Sequence, residues 1–203
     1  MKKIHNNRKK QSTSHKAQIQ LHLLIRVPCA FFALIFDAMK ILMVCLGNIC
    51  RSPLAEGILK DKIAKAGLDW TVESAGTNGY HDGEAPHPLS QRVAKMNGID
   101  ICDQQSRRLV PEDFDRFDKI YALAEDVLFD IKRIAKKKFD ASKVDLLMNE
   151  LYPGKNMDVP DPWSGPEQEY HEAFSLIDAA CEKIIEKALK GSRNLPTGQA
   201  SNK

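Results

Sequence analysis

The sequence of 203 residues has no internal repeat, no long apolar run and no metal-binding spacing of His, Cys and carboxylate residues. The absence of repeats excludes solenoids and propellers. The longest uncharged run, Val27 to Phe36, spans ten residues, about half of the roughly 20 that a membrane-spanning helix needs. A composition of 43% hydrophobic and 28% charged residues is typical of a globular domain. We therefore expect a chain with no membrane span, no metal and no other cofactor.

Basic residues are concentrated at the N-terminus. Residues 1–38 hold seven Lys and Arg side chains against one acid, whereas residues 39–203 hold 23 basic and 26 acidic side chains. A nucleic-acid binder needs a positive face to contact phosphates. The slightly acidic body of the chain therefore argues against a dedicated nucleic-acid partner.

The chain divides into three predicted parts. Residues 1–38 are polar and basic, then briefly apolar, and no A-x-A cleavage pattern precedes Met39, which stands directly before the first predicted strand. We interpret residues 1–38 as a disordered extension or as sequence upstream of the true translation start, with an export signal as the alternative. Residues 39–190 form the predicted folded domain. Residues 191–203, rich in Gly, Ser, Asn, Pro and Gln, form a flexible tail.

Strand and helix patterns alternate along the folded domain. The run KILMVC at 40–45 is short and almost continuously apolar, which is typical of a parallel strand covered on both faces. Ser52 is the predicted N-cap of the helix that follows and Gly67 its stop. Further strands are predicted at 70–74, 119–123 and 144–147, and further helices at 88–96, 126–138 and 167–189. This alternation predicts an α/β fold, a small doubly wound parallel sheet with helices on both faces. Ligands of such sheets bind beyond the carboxyl ends of the strands, so the first strand-to-helix turn is the expected site.

That first turn, residues 45–53, reads CLGNICRSP. Backbone N–H groups of a tight loop, with the unpaired donors of a helix start, form a cup for a dianion. Gly47 lets the backbone turn, and the guanidinium of Arg51 matches two phosphoryl oxygens. The same positive field favours the thiolate of Cys45 over the thiol and makes it a nucleophile.

The stretch VCLGNICRSPLAEG (44–57) resembles the signature of the low-molecular-weight protein tyrosine phosphatases. The resemblance continues through VESAGTNGY (72–80), EDFDRFDKIYALAED (112–126) and VPDPWSG (159–165), and covers roughly residues 39–189. It implies a four-stranded parallel sheet. It also implies an enzyme that hydrolyses phosphotyrosine and aryl phosphates through a cysteinyl-phosphate, with Cys45 as nucleophile and Arg51 as phosphate clamp. By the same resemblance, Asp161 is the general acid and then the general base.

Supporting residues carry over from the family position by position. The resemblance implies that Asn48 and Ser74 brace the loop and that the Ser52 hydroxyl stabilises the thiolate. Tyr80 and Trp163 match aromatic walls of the substrate cleft, and Asp126 matches an acid behind the site. The remaining members of the implied phosphate-binding loop are Leu46, Gly47, Ile49 and Cys50.

The resemblance also implies the partners. They are a phosphotyrosine-containing protein as substrate and inorganic phosphate or vanadate as inhibitors. Cys50 matches a position that can form a disulfide with Cys45, which would protect the nucleophile. Five cysteines, of which one must be free for catalysis, favour a reducing cytoplasm. His81 and His87 are interpreted as surface groups.

Three other functions are weighed against this one. An arsenate reductase on the same fold needs two further cysteines a few residues apart, and Cys102 has no such neighbour. Protein-arginine phosphatases of the family carry Thr where Ile49 stands. A non-catalytic phosphate-binding module would be expected to lack Cys45, Arg51 or Asp161. The chain also departs from the family pattern, since residues 102–105, CDQQ, provide no counterpart to a His that often supports the active-site network.

Overall fold

The computed structural model describes residues 38–193. Its strands are β1 (Lys40–Cys45), β2 (Thr71–Gly76), β3 (Lys119–Ala122) and β4 (Val144–Leu146). Its helices are α1 (Arg51–Ala66), α2 (Pro88–Met96), α3 (Asp113–Arg116), α4 (Glu125–Ala135) and α5 (Glu167–Arg193). Short 3₁₀ turns follow α4 at Lys136–Lys138 and β4 at Leu147–Glu150.

The four strands form one sheet in the order β2-β1-β3-β4, and every pair is parallel. Because β1 lies between β2 and β3, both of its edges are hydrogen-bonded and its last five residues are buried. This explains why β1 is apolar along its length and does not alternate. The predicted four-stranded parallel α/β sheet is confirmed.

Alternate side chains of β1 enter two separate hydrophobic cores. Ile41 and Met43 pack with α1, α2 and α5 on one face of the sheet. Leu42 and Val44 pack with α3 and α4 on the other face. Both faces are therefore covered by helices, as predicted, and the carboxyl end of β1 remains the open end of the central strand.

One local difference from the sequence prediction lies at the start of α1. The helix begins at Arg51 with Cys50 as its N-cap and no side-chain capping bond, so Ser52 is not the cap. Its hydroxyl instead turns toward Cys45. The predicted stop is confirmed, because Gly67 caps the helix in the left-handed region at φ 66°.

Other element boundaries shift by a few residues. β2 extends to Gly76, and α4 gives way to a 3₁₀ turn after Ala135. α5 continues to Arg193, three residues into the predicted tail. The predicted extension, apart from residue 38, and the rest of the tail lie outside the described residues. Within residues 38–193, no helix is long and apolar enough to cross a bilayer.

Candidate active site

The loop between β1 and α1 has its carbonyl groups held from the outside. Backbone N–H groups bind three of these carbonyls and serine hydroxyls bind two. The pairs are Cys45 O with Thr77 N (3.0 Å), Leu46 O with Asn78 N (3.0 Å), Ile49 O with His87 N (2.7 Å), Gly47 O with Ser106 Oγ (3.1 Å) and Cys50 O with Ser90 Oγ (3.3 Å). In a trans peptide the N–H points opposite to the C=O. The loop therefore turns N–H groups toward its inside, which makes a cup for an anion.

Cys45 lies at the base of this cup. The backbone N–H of Asn48 donates to its Sγ at 3.2 Å, and Ser52 Oγ lies 3.1 Å from the same sulfur. The N–H of Asn48 is thus aimed at the sulfur, whereas in the second contact either the sulfur or the Ser52 hydroxyl can be the donor.

Asn48 links the loop to its supports. Its backbone is in the left-handed region at φ 56°, which Asn tolerates better than most residues. Its Nδ2 donates to Ser52 Oγ at 2.9 Å and to Ser74 Oγ at 2.8 Å, and the Ser74 hydroxyl donates to the buried Glu56 at 2.6 Å. The structure thus brings Asn48, Ser52 and Ser74 together in one hydrogen-bonded group.

Gly76 allows the end of β2 to approach the loop closely. A Cβ at this position would lie 2.9 Å from Leu46 O and 3.1 Å from Asn48 N, both backbone atoms that cannot move independently.

We predict that Gly76→Ala lowers the free energy of unfolding by about 1–3 kcal/mol, because the added methyl overpacks the loop. Chemical denaturation with activity assays measures this effect. The matched control is Gly191→Ala, because a Cβ at Gly191 meets no neighbouring atom. Gly83→Ala is unsuitable as a control, because the positive φ of Gly83 would itself strain an alanine. A Gly76→Ala variant as stable as the parent chain would contradict the close approach.

Arg51 turns one edge of its guanidinium toward the cup. The side chain is almost fully buried, and Nη1 donates to Val159 O at 3.1 Å. Nη2 pairs with Asp161 Oδ2 at 2.6 Å, while the buried Nε has no hydrogen-bond partner within residues 38–193. Nε and Nη2 share one edge of the planar group, an edge suited to two oxygens of one anion. A buried donor without a partner is costly, which is consistent with a ligand atom bonding Nε.

A cavity of about 250 Å³ opens above Cys45. It is lined by most of the loop and by the residues that face it from the neighbouring segments, namely Cys45, Leu46, Gly47, Ile49, Cys50, Arg51, Asn78, Tyr80, His81, Asp161 and Trp163. Cys45 and Asp161 are 116 positions apart in the sequence but line the same cavity. Backbone contacts of Val159 help to hold the Asp161 segment there. Val159 N donates to Leu123 O, just after β3, and Val159 O accepts from Arg51.

His81, interpreted from the sequence as a surface group, is partly exposed and also lines the cavity. Its ring lies 5.2 Å from that of Trp163, and its Nδ1 lies 2.9 Å from a carboxylate oxygen of Glu84. Tyr80 also lines the cavity, but 86% of its surface is exposed. These two adjacent residues lie on a loop, so no periodic pattern in the sequence shows which of them packs against Trp163.

His87 is also half-buried and has a structural role. Its ring stacks on Tyr170 of α5 and contacts the edge of Trp163, at centroid distances of 5.2 and 5.5 Å. Its Nδ1 accepts the N–H of Leu89 and caps α2. Partial burial lowers the pKa of His87, which favours the neutral ring that this acceptor role requires. Trp163, next but one to Asp161, is thus held between two imidazole rings.

Cys50 lines the cavity together with Cys45 and Asp161, whereas Asp126 does not. Cys50 Sγ lies 3.8 Å from the Tyr170 hydroxyl, and burial raises the pKa of the Cys50 thiol to about 12, which keeps it neutral. Asp126 is exposed and accepts a hydrogen bond from the N–H of Val127, and it does not line the cavity. In the segment that lacks the family's His, Gln104 donates to Pro53 O, and its own oxygen is buried without a partner.

Fold and loop together define the class of protein. It is a doubly wound α/β protein whose candidate ligand site is a cysteine-containing loop at the open end of the central strand. The family model for low molecular weight phosphotyrosine protein phosphatases matches residues 40–194. The chain belongs to this family of enzymes.

Individual relatives agree with the family match. A low molecular weight protein-tyrosine-phosphatase of Streptomyces coelicolor is 37% identical over 150 residues, which are 72% of this chain and 91% of the relative. Vibrio vulnificus Wzb, solved with benzylphosphonate, superposes with a TM-score of 0.66 at 29% identity, covering 75% of this chain and 99% of Wzb. The Bacillus subtilis arginine phosphatase YwlE, solved as a Cys-to-Ser mutant with a phosphorylated active-site serine, superposes with a TM-score of 0.69 at 26% identity, covering 76% and 99%.

Proposed function

We propose that the chain is a protein tyrosine phosphatase that hydrolyses phosphotyrosine through a cysteinyl-phosphate on Cys45. The observation that carries the proposal is the convergence of three groups on one cavity. These are a sulfur that accepts the backbone N–H of Asn48, an arginine edge whose Nε has no partner among the described residues, and a carboxylate. They are the nucleophile, the anion clamp and the proton donor that phosphoryl transfer to a thiolate requires.

Substrate binding exchanges the partner of Arg51. In the structure Nη2 is paired with Asp161 and Nε has no partner. A phosphoryl group in the cup takes both donors of this edge, while Nη1 stays on Val159 O and keeps the guanidinium in place. Asp161 is then free of the ion pair and faces the ester oxygen on the leaving side.

The reaction proceeds in two displacements. The Cys45 thiolate attacks phosphorus, the P–O bond to the aromatic ring breaks, and protonated Asp161 donates its proton to the departing phenolate. In the second displacement Asp161 takes a proton from water, the water oxygen bonds to phosphorus, and the S–P bond breaks to restore the thiolate. The loop N–H groups and Arg51 hold the equatorial oxygens in both steps. The phosphorylated serine of the similar YwlE mutant supports a covalent intermediate at this position of the loop.

The cavity walls favour an aromatic ester. Trp163 and His81 give it flat sides, and Ile49 adds a bulky apolar side chain. These surfaces suit a phenyl ring better than the flexible guanidinium chain of phosphoarginine. The benzylphosphonate held by the similar Wzb is also an aromatic phosphoryl analogue. We place the enzyme in the cytoplasm, where a reducing compartment keeps the described cysteines as the free thiols seen here.

A substrate panel tests the assignment. We predict that kcat/KM for a phosphotyrosine peptide exceeds that for matched phosphoserine and phosphoarginine peptides by about 100-fold or more, because only the aryl ester fills the cavity. Phosphate release measures all three, and a thioredoxin-coupled assay with arsenate tests reductase activity. Preference for phosphoarginine, or turnover of arsenate, would contradict the proposal.

A further inference from the structure

The sequence gives no sign of the role of Ser106, which is buried and lies 59 positions beyond Gly47 in the chain. Its hydroxyl donates to the carbonyl oxygen of Gly47 at 3.1 Å. That carbonyl belongs to the same peptide unit as the N–H of Asn48, which donates to Cys45 Sγ at 3.2 Å. One planar peptide is thus held at its outer end by Ser106 and presents its inner end to the nucleophile.

This peptide unit depends on an outside anchor. The residue before it is Gly47, which has no Cβ to restrict backbone rotation, and the residue after it has a positive φ. If the carbonyl lost its partner, the peptide could rotate and withdraw the N–H from the sulfur. The N–H of Arg107, the next residue after Ser106, donates to Asn48 Oδ1 at 2.9 Å and holds the side chain of the same residue.

The segment that carries Ser106 is itself fixed on three sides. Arg107 O accepts from Gly76 N at 2.9 Å, at the end of β2. The backbone of Ser106 bonds to Glu84 O and Gly83 N, both at 2.8 Å, in the loop that carries the cavity wall. The Arg107 side chain binds both carboxylate oxygens of Asp113, which is fully buried at the start of α3. Ser106 therefore offers its hydroxyl from a rigid support.

We propose that Ser106 is a positioning residue that keeps the Gly47–Asn48 peptide turned so that its N–H stabilises the Cys45 thiolate. The inference rests on the proposed function, but it predicts a property of the sulfur that is measurable without turnover. Ser106 acts through the peptide and does not contact the substrate.

The test compares three variants of the full chain. Ser106→Ala removes the hydroxyl, and Ser106→Thr retains it. Ser175→Ala is the matched control, because the Ser175 hydroxyl also donates to a backbone carbonyl, His171 O at 2.8 Å, but on the exposed side of α5. The measurements are kcat and KM for p-nitrophenyl phosphate, the rate of Cys45 alkylation by iodoacetate between pH 4 and 9, and thermal unfolding.

We expect Ser106→Ala to lower kcat/KM by about three- to tenfold, the effect of one hydrogen bond. The pH dependence of its Cys45 alkylation rate shifts to higher pH by the logarithm of the same factor. The Ser106→Thr and Ser175→Ala proteins match the parent chain in kcat/KM and in the alkylation profile. An unchanged alkylation profile in Ser106→Ala overturns the inference, whether or not activity falls. If the parent chain does not hydrolyse the ester, the proposed function fails, and the alkylation profiles still decide the role of Ser106.

Discussion

Replacing Cys45 by Ser is expected to abolish hydrolysis of aryl phosphates, with kcat lower by about 10⁴-fold or more, while inorganic phosphate still binds. A serine hydroxyl has nearly the size of the thiol, but it does not ionise near neutral pH and is a much weaker nucleophile. In the proposed mechanism the loop N–H groups and Arg51 hold the anion, and the substitution leaves these groups in place.

Turnover of p-nitrophenyl phosphate measures the loss of hydrolysis. Calorimetric titration with phosphate measures whether the anion still binds. Cys102→Ser is the matched control, because it makes the same chemical change at an exposed cysteine that does not line the cavity. Activity in Cys45→Ser comparable to that of the Cys102→Ser protein would remove Cys45 from the mechanism. Loss of phosphate binding in a folded Cys45→Ser protein would show that the loop needs the thiolate to keep its shape.

Replacing Asp161 by Asn is expected to slow esters with poor leaving groups far more than esters with good ones. The amide cannot donate a proton to a departing phenolate, and general acid catalysis contributes about 10²- to 10⁴-fold. Phenyl phosphate should therefore lose about 100-fold or more in kcat/KM. p-Nitrophenyl phosphate, whose leaving group departs as a stable anion, should lose less than about tenfold. Phosphate should bind at least as tightly, because the variant has no carboxylate to compete for Arg51.

A plot of kcat/KM against leaving-group acidity for a series of substituted phenyl phosphates measures this difference. Asp158→Asn is the matched control, since Asp158 is an exposed acid three positions away that binds the backbone N–H of Glu125. Equal slowing of all esters by Asp161→Asn would contradict the general-acid role. If Asp158→Asn changed the slope of this plot as much as Asp161→Asn does, Asp161 would not be identified as the proton donor.

The sheet and the loop could be predicted because their signals are local. A continuous apolar run predicts a central strand, and a Gly at the end of a helical pattern predicts its stop, as Gly67 confirms. The loop between β1 and α1 combines a cysteine, a glycine and an arginine within seven positions. These residue types alone therefore predict a phosphate-binding loop with a nucleophile. Asp161 required the family resemblance, because the sequence holds 27 acids and nothing local distinguishes this one.

The supports of the loop could not be predicted, because they depend on contacts between distant segments. Ser90 and Ser106 bind loop carbonyls across 40 and 59 positions, and serine is too common for its presence to be a signal. Ser52 was predicted as a helix cap, but α1 already begins at Arg51, and the Ser52 hydroxyl lies 3.1 Å from Cys45 Sγ. The wall role of His81 follows from a ring contact with Trp163, 82 positions later in the chain.

The outward-held carbonyls have a consequence for how such a catalyst can diversify. In the proposed mechanism the loop recognises a phosphoryl group largely through main-chain amides, which every residue type except proline provides. Side chains such as Leu46 and Ile49 are then available to vary with the rest of the ligand. Anion affinity then depends on main-chain atoms, and the choice of ester depends on side-chain atoms of the same few residues. A mutation can therefore change the ester preference with little loss of anion affinity.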